Sequence, residues 1–179
     1  MDLAIPLRAP AGAFFQVNRF LVPWLFQKAC ELIGTNPAPT WDLHAGVGFL
    51  ASAAQFAAPR DLYLVEPYRP AARAARQNLP AAKVMVGQTA EDHVSGLKDL
   101  DRGALVITDP PRTGLSQELR KSLLSWRPKR HLMLACDVAT WARDTAFFLD
   151  NGYDLVHLEL VDLFPSTHHV EVIASLEAR

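Results

Sequence analysis

The tetrapeptide Asp109-Pro110-Pro111-Arg112 places an acid and a base on either side of two prolines, directly after the apolar residues 104–108. Each proline fixes its own φ and disfavours helix at the residue before it, so this turn is stiff. If residues 104–108 form a parallel strand, the turn lies where open α/β sheets bind ligands and carry out chemistry. Taken alone, the tetrapeptide fits an ordinary exposed turn equally well.

A second candidate site is a glycine-containing turn, residues 42–49, with the sequence DLHAGVGF. Gly46 and Gly48 allow a tight turn and the close approach of a ligand. The pattern lacks a third glycine, but it stands between a predicted strand and a predicted helix, where a nucleotide-like ligand binds. About twenty residues later the next strand ends at Glu66, which is either a solvated carboxylate or an acceptor for two ribose hydroxyls. The glycine turn favours ribose binding.

Both motifs lie in a regular alternation of short apolar and longer amphipathic segments. The pattern predicts strands at 40–43, 62–65, 83–86, 104–108 and 131–135, and helices at 20–33, 49–56, 69–79, 116–126 and 139–149. Two further extended segments, 153–162 and 169–175, have no helix between them and predict an antiparallel hairpin. We therefore expect one α/β domain over residues 1–179, with a mostly parallel seven-stranded sheet and helices on both faces.

Composition limits the class of protein. Half of the 179 residues are apolar, and no apolar run is long enough to span a bilayer. The first residues lack the features of a secretory signal, so a cytoplasmic location is expected. Cys30 and Cys136 lie far apart and the six histidines are scattered, so neither a disulfide framework nor a metal site is predicted. The net charge of −1 is not that of a free-standing nucleic-acid binder.

Five motifs taken together resemble the RNA uracil-C5 methyltransferases that form 5-methyluridine. They occur in the family's order across residues 14–171: FFQVN at 14–18, DLHAGVG at 42–48, DPPR at 109–112, Cys136 with ATWARD at 139–144, and DLFPSTHHVE at 162–171. The resemblance implies a Rossmann-like class I methyltransferase fold and S-adenosyl-L-methionine as cofactor. It also implies a uridine in RNA, either rRNA or tRNA, as substrate.

The resemblance also implies roles for individual residues. Carbon 5 of uracil is a poor nucleophile, so a thiolate adds at carbon 6 to activate it, and a base later removes the carbon 5 proton. Cys136 matches the family's nucleophile and Glu171 its base. Without the family, Cys136 fits a buried strand-end cysteine and Glu171 an outward carboxylate on a hairpin. The cofactor positions are Gln16, His44, Gly46, Phe49, Glu66, Thr89 and Asp109, of which Thr89 is aligned only by its distance from the third strand.

Four basic residues have two interpretations that the sequence leaves open. Arg112, Arg143, His168 and His169 either hold substrate or brace the loops.

A helix that begins near Val138 would favour a thiolate at the preceding cysteine.

The chain also departs from the family. Cys136 is followed by Asp137-Val138 instead of Asn-Pro, and an added negative charge would raise the thiol pKa. Ala45 and Phe49 replace a cysteine and an asparagine of the glycine turn. The family's N-terminal RNA-binding barrel is expected to be absent, so RNA binding is expected to need another domain or a partner. Action on DNA or a small molecule, and loss of catalysis with retained cofactor binding, stay as alternatives.

Overall fold

All seven strands form one sheet in the computed structural model, which describes residues 6–97, 101–167 and 169–179. The strands are β1 (Thr40–Asp42), β2 (Leu62–Glu66), β3 (Lys83–Val86), β4 (Leu105–Thr108), β5 (Arg130–Ala135), β6 (Tyr153–Val161) and β7 (Glu171–Ala178). Their order across the sheet is β3-β2-β1-β4-β5-β7-β6. The first five strands are parallel, and β7 runs antiparallel to both of its neighbours. The predicted architecture is confirmed.

The described residues form six helices, of which the first precedes β1 and the other five connect successive strands. They are α1 (Val22–Ile33), α2 (Phe49–Ala57), α3 (Arg69–Asn78), α4 (Ala90–Ser95), α5 (Gln117–Trp126) and α6 (Val138–Asp150). Helix α1 carries a proline in its first turn and stops at Gly34, whose φ of 68° is unfavourable for other residues. Helix α4 was not predicted, because six residues are too few to show a helical repeat.

The two faces of the sheet support separate apolar clusters. Leu64 and Ile107 face the cluster that includes α1 and α2, whereas the next residues along the same strands, Val65 and Thr108, point to the other side. All four residues of β4 are buried, as expected for a parallel strand covered by helices on both faces. The carboxyl ends of the parallel strands β1, β2, β4 and β5 therefore lie at one edge of the sheet, between two packed layers of helices.

No helix in the described part of the chain is long and apolar enough to cross a membrane.

Candidate active site

A cleft of about 620 Å³ opens at the carboxyl ends of the central parallel strands. Asp42 ends β1, Glu66 ends β2, and Asp109 and Cys136 follow β4 and β5. Glu171 reaches the same edge of the sheet because β7 is antiparallel and begins there. The structure thus brings together eight of the nine site residues predicted from the sequence: Gln16, His44, Gly46, Phe49, Glu66, Asp109, Cys136 and Glu171.

Thr89 is the exception, because it is absent from the lining of the cleft. Its hydroxyl oxygen accepts a hydrogen bond from the Asp92 amide at 3.1 Å, and its hydroxyl donates to the Asp92 side chain at 2.8 Å. Thr89 therefore caps the N-terminus of α4. Its distance from β3 along the chain did not reveal this local role.

Glu66 joins the two loops that form one wall of the cleft. One carboxylate oxygen accepts from the Gly46 amide and the other from the Tyr68 amide, both at 2.7 Å. A carboxylate oxygen has a second acceptor position, so each can still accept a hydroxyl. Gly46 has a φ of +53°, and a Cβ built on it would meet no atom within 4 Å. The turn therefore leaves an open space beside a fixed carboxylate.

The segment that carries Gln16 closes another side of the cleft. The Phe15 ring packs edge-on against Phe49 at a centroid distance of 5.7 Å. The Asn18 side chain donates to the Leu163 carbonyl at 3.3 Å. Packing on one side and a hydrogen bond on the other hold Gln16 in the lining. Gln16 can offer both a donor and an acceptor to a ligand.

Three carboxyl groups with raised pKa values line the cleft, whereas its described lining residues include one arginine. Burial and the neighbouring Asp109 raise the pKa of Asp42 to about 7, and burial and Glu171 raise the pKa of Asp109 to about 8. Burial also raises the pKa of Glu171 to about 7. A cation in the cleft would favour the ionised forms of these groups. The three carboxyl groups therefore suit a positively charged ligand.

His44 adds an unsatisfied nitrogen to the same wall. Its Nδ1 is buried and has no hydrogen-bond partner among the described residues. Burial lowers the pKa of His44 to about 4, so the ring is neutral at pH 7. A buried polar atom without a partner is costly in a folded protein, and a ligand in the cleft can supply the missing hydrogen bond.

Cys136 and Glu171 lie beside each other because of strand pairing. Ala135 of β5 pairs with Val172 of β7, so Cys136 and Glu171 are the next residues outward on adjacent strands. Burial raises the pKa of the half-buried Cys136 thiol, and Glu171 and Asp109 add to that shift. The antiparallel register therefore places a thiol and a carboxyl group at one point of the cleft.

The thiol pKa is raised, as expected from added negative charge, but the cause is different. Helix α6 begins at Val138, yet burial, Glu171 and Asp109 raise the thiol pKa more than a backbone hydrogen bond and Arg112 lower it. Asp137 has a partner within α6. It accepts from the Thr140 amide at 2.8 Å and so caps α6, which lowers the pKa of Asp137 itself.

Arg143 braces the loop that follows β4. Its guanidinium donates to the carbonyls of Thr113 and Leu115 at 3.0 and 3.2 Å and to the Asp144 carboxylate at 2.8 Å. Asp144, which is 1% exposed, also accepts from the Leu115 amide at 2.7 Å and from Arg120 at 2.9 Å. Of the two interpretations of Arg143, bracing agrees with these contacts, and Asp144 is the buried centre of the brace.

The other basic candidates have different positions. Arg112 lines the cleft. The His169 ring contacts Phe164, which is itself part of the lining, at a centroid distance of 6.1 Å. His168 lies outside the described residues.

Sequence reasoning missed Asp42 and Asp144 as functional residues. Asp42 is the first residue of the glycine turn, so an acid at the end of β1 was the available signal. Asp144 ends the ATWARD motif at 139–144, but the motif does not show what this residue does, since its role depends on contacts with α5 and with the loop after β4. Over residues 6–97, 101–167 and 169–179, no group of three or more His, Cys, Asp or Glu side chains is placed to hold a metal ion.

The chain is similar in sequence to curated RNA methyltransferases and similar in structure to solved methyltransferases. An uncharacterized RNA methyltransferase of Caldanaerobacter subterraneus is 32% identical over 175 residues, which cover 92% of this chain and 38% of that protein. The crystal structure of the Pyrococcus abyssi tRNA (uracil-54, C5)-methyltransferase in complex with S-adenosyl-L-homocysteine has a TM-score of 0.77 and 28% identity. The match covers 92% of this chain and 40% of that one.

A third match extends over nearly the whole of both chains. The precorrin-6y C5,15-methyltransferase of Geobacter metallireducens has a TM-score of 0.70 at 14% identity, covering 97% of this chain and 94% of its own. No protein-family model matches the chain. The chain spans about two fifths of the length of the curated RNA methyltransferases it resembles, and it has the class I S-adenosylmethionine-dependent methyltransferase fold.

Proposed function

We propose that this chain binds S-adenosyl-L-methionine and transfers its methyl group to carbon 5 of a uridine in RNA. The observation that carries the proposal is the position of Cys136 and Glu171. They are neighbours on paired strands and line the same cleft as Glu66 and Asp109. A nucleophile, a base and a nucleoside-binding wall are then within one cavity.

The chain's residues fit the cofactor at both of its ends. Glu66 and the open space at Gly46 suit a ribose with two free hydroxyls. Asp42, Asp109 and the free Nδ1 of His44 suit a charged, hydrogen-bonding group. Bound there, S-adenosyl-L-methionine supplies an electrophilic methyl group on a positively charged sulfur.

Cys136 activates the uracil ring for methylation, and Glu171 acts afterwards as the general base. The Cys136 thiolate forms a bond to carbon 6, and the electron pair of the C5–C6 double bond makes carbon 5 nucleophilic. After carbon 5 is methylated, Glu171 takes the carbon 5 proton, the C5–C6 double bond re-forms, and the bond between sulfur and carbon 6 breaks. Because Glu171 has a pKa near 7, it can accept this proton and later release it to solvent.

The charge of the cleft supports a neutral acceptor. Asp42, Glu66, Asp109 and Glu171 line it together with one arginine, Arg112. Carboxylates repel phosphate, so the base enters and its phosphates stay outside. Uracil is neutral at pH 7, and a uridine that is turned out of its stack can present carbon 5 and carbon 6 to the cleft.

The test is trapping of the covalent adduct. RNA that contains 5-fluorouridine should form a stable adduct with the protein in the presence of cofactor, because carbon 5 then carries fluorine instead of a removable proton. Intact-mass spectrometry should detect the adduct with the wild-type chain and not with Cys136→Ala. Methyl transfer by Cys136→Ala at the wild-type rate would contradict the mechanism and indicate a different acceptor.

A further inference from the structure

Four arginines form a basic surface beside the cleft. Arg69, Arg73 and Arg76 have the spacing i, i+4 and i+7, so they lie on one face of α3. Arg8 joins them at the C-terminal end of the helix, because its amide donates to the Asn78 side chain at 2.8 Å and its carbonyl accepts from the same side chain at 3.0 Å. We call these four residues the α3 basic surface. All four are exposed.

Within the part of the chain that the structure describes, no carboxylate neutralises these charges. None of the four arginines takes part in an ion pair among the described residues. Arg76 donates to the Val84 carbonyl at 2.9 Å, which fixes its direction but leaves its charge unpaired. The ten residues of α3 include no acid, and its opposite face consists of buried alanines. An ordinary solvated helix usually carries charges of both signs.

The net charge of −1 hides this asymmetry. Four of the chain's 19 acidic residues line the cleft and contribute little to the outer surface: Asp42, Glu66 and Glu171, which are buried, and Asp109, which is half-buried. The α3 basic surface begins next to that wall, since the Tyr68 amide at the start of α3 donates to Glu66. From Arg69 to Arg76 it extends about 10 Å along the helix axis.

We propose that the α3 basic surface binds the phosphate backbone of the RNA whose uridine enters the cleft. This inference rests on the proposed RNA substrate, but not on the chemistry at carbon 5. Arginine is suited to phosphate because its planar guanidinium donates two parallel hydrogen bonds. A row of cations beside an acid-lined cleft separates the two parts of a nucleotide, with phosphates on α3 and the base in the cleft.

The test is binding of a single-stranded RNA, with no methylation required. The probe is a fluorescein-labelled, uridine-containing RNA of about 12 nucleotides, measured by anisotropy over roughly 50 to 200 mM salt. The triple variant Arg69→Gln, Arg73→Gln, Arg76→Gln should bind at least about tenfold more weakly. The slope of log K against log salt should be smaller by about 2, since each phosphate contact on a single strand contributes about 0.7.

The matched control removes the same charge from the opposite face of the sheet. Arg102→Gln, Lys121→Gln, Lys129→Gln changes three exposed cations on the α5 side. We expect this variant to keep the wild-type affinity within about twofold. Both variants should keep the wild-type melting temperature and S-adenosyl-L-homocysteine affinity, which shows that the fold and the cleft are intact. Arg73→Gln alone, which removes a guanidinium that has no hydrogen bond among the described residues, should weaken binding about threefold.

Two outcomes would overturn the inference. One is wild-type affinity and salt slope in the α3 variant. The other is an equal loss in both triple variants, which would mean that RNA responds only to total charge. The two proposals can fail separately. If RNA binding depends on α3 but no adduct forms with 5-fluorouridine RNA, the α3 basic surface is supported and the uracil-C5 mechanism is contradicted.

Discussion

Asp109 is a half-buried acid that ionises less readily than an ordinary aspartate. Desolvation and Glu171 raise its pKa to about 8, so the protonated form predominates at pH 7 in the absence of ligand. A bound sulfonium would favour the carboxylate, whereas the neutral thioether product would not. We therefore propose that this residue distinguishes the cofactor from its product by charge.

Asp109→Asn tests that distinction. We expect the affinity for S-adenosyl-L-methionine to fall by more than about tenfold, one pKa unit of interaction being worth a factor of ten. The affinity for S-adenosyl-L-homocysteine should fall less, and titration calorimetry measures both. Equal losses for the two ligands would show that Asp109 does not respond to the sulfonium. Glu118→Gln, on the exposed first turn of α5, is the control.

Cys136 and Glu171 together set the expected pH dependence of the reaction. The pKa of the thiol is above its ordinary value, and the pKa of Glu171 is about 7. The required thiolate and carboxylate both become more populated as pH rises. We expect kcat/KM for methyl transfer to increase from pH 6 through pH 8 without a plateau near neutrality. A rate that falls over this range would contradict the two roles.

Glu66 holds two loops as well as one wall of the cleft. A glutamine has a single acceptor oxygen, so Glu66→Gln leaves the amide of Gly46 or of Tyr68 without its partner. We expect a loss of about 1–3 kcal/mol in unfolding free energy. Affinity for S-adenosyl-L-homocysteine should fall with it. Chemical denaturation and calorimetry on the same preparation check both effects, and unchanged values would show that neither amide depends on the carboxylate.

At the scale of elements, the loop after β4 is held by α6 and α5. Asp144 of α6 contacts the Leu115 amide, Arg120 of α5 and Arg143. The Thr140 hydroxyl also donates to the Arg112 carbonyl at 3.1 Å. Two prolines stiffen the start of this loop, and a buried ion-pair network fixes its end.

Removing Asp144 should therefore loosen the loop and the fold. Asp144→Ala leaves Arg120 partly buried without its partner, and we expect a loss of about 3–5 kcal/mol in unfolding free energy. Asp150→Ala, an exposed acid at the end of the same helix, should cost less than about 0.5 kcal/mol. Urea denaturation measures both variants. Equal effects would mean that the network does not stabilise the loop.

Most strands and helices, but not all features of the site, could be predicted from the sequence. Alternating apolar and amphipathic segments predicted every strand and five of the six described helices, because periodicity reflects which residues are buried. The grouping of Cys136 and Glu171 came from motif order. The raised thiol pKa depends on burial and on Glu171 and Asp109, which come from other parts of the chain. The role of Asp144 depends on how α6 packs on α5 and on the loop after β4, and no local pattern contains that information. Thr89 caps α4 and is absent from the lining of the cleft, and its spacing from β3 shows neither fact, because the position of a loop relative to the cleft depends on tertiary packing.

At the scale of the molecule, buried ionisable groups make stability depend on pH. Asp42, Asp109 and Glu171 have folded-state pKa values raised to about 7, 8 and 7, so the native state binds protons that the unfolded chain has lost. Their contribution is present at low pH and is lost as pH rises through these values. The neutral histidines His44 and His131, with pKa values lowered to about 4 and 3, act in the opposite direction below about pH 6.5.

Above about pH 6.5, His44 and His131 are neutral in both the folded and the unfolded state, so the three carboxyl groups should make the ligand-free protein less stable as pH rises to about 8. The expected slope is on the order of 1 kcal/mol per pH unit for each group that ionises. Denaturation at several pH values measures it. Asp109→Asn should flatten the curve, and a variant as steep as the wild type would show that Asp109 is not one of the groups responsible.

Strand pairing has a consequence for the order in which the site is made. Cys136, Asp109 and the glycine turn all precede β7 in the chain, whereas Glu171 is on β7 itself, inserted between β5 and β6. During synthesis on the ribosome, segments emerge in chain order, so these residues emerge before the residue proposed as the base. The proposed thiol and carboxyl pair therefore forms only when β7 inserts between its two neighbours, and completion of the site depends on that strand.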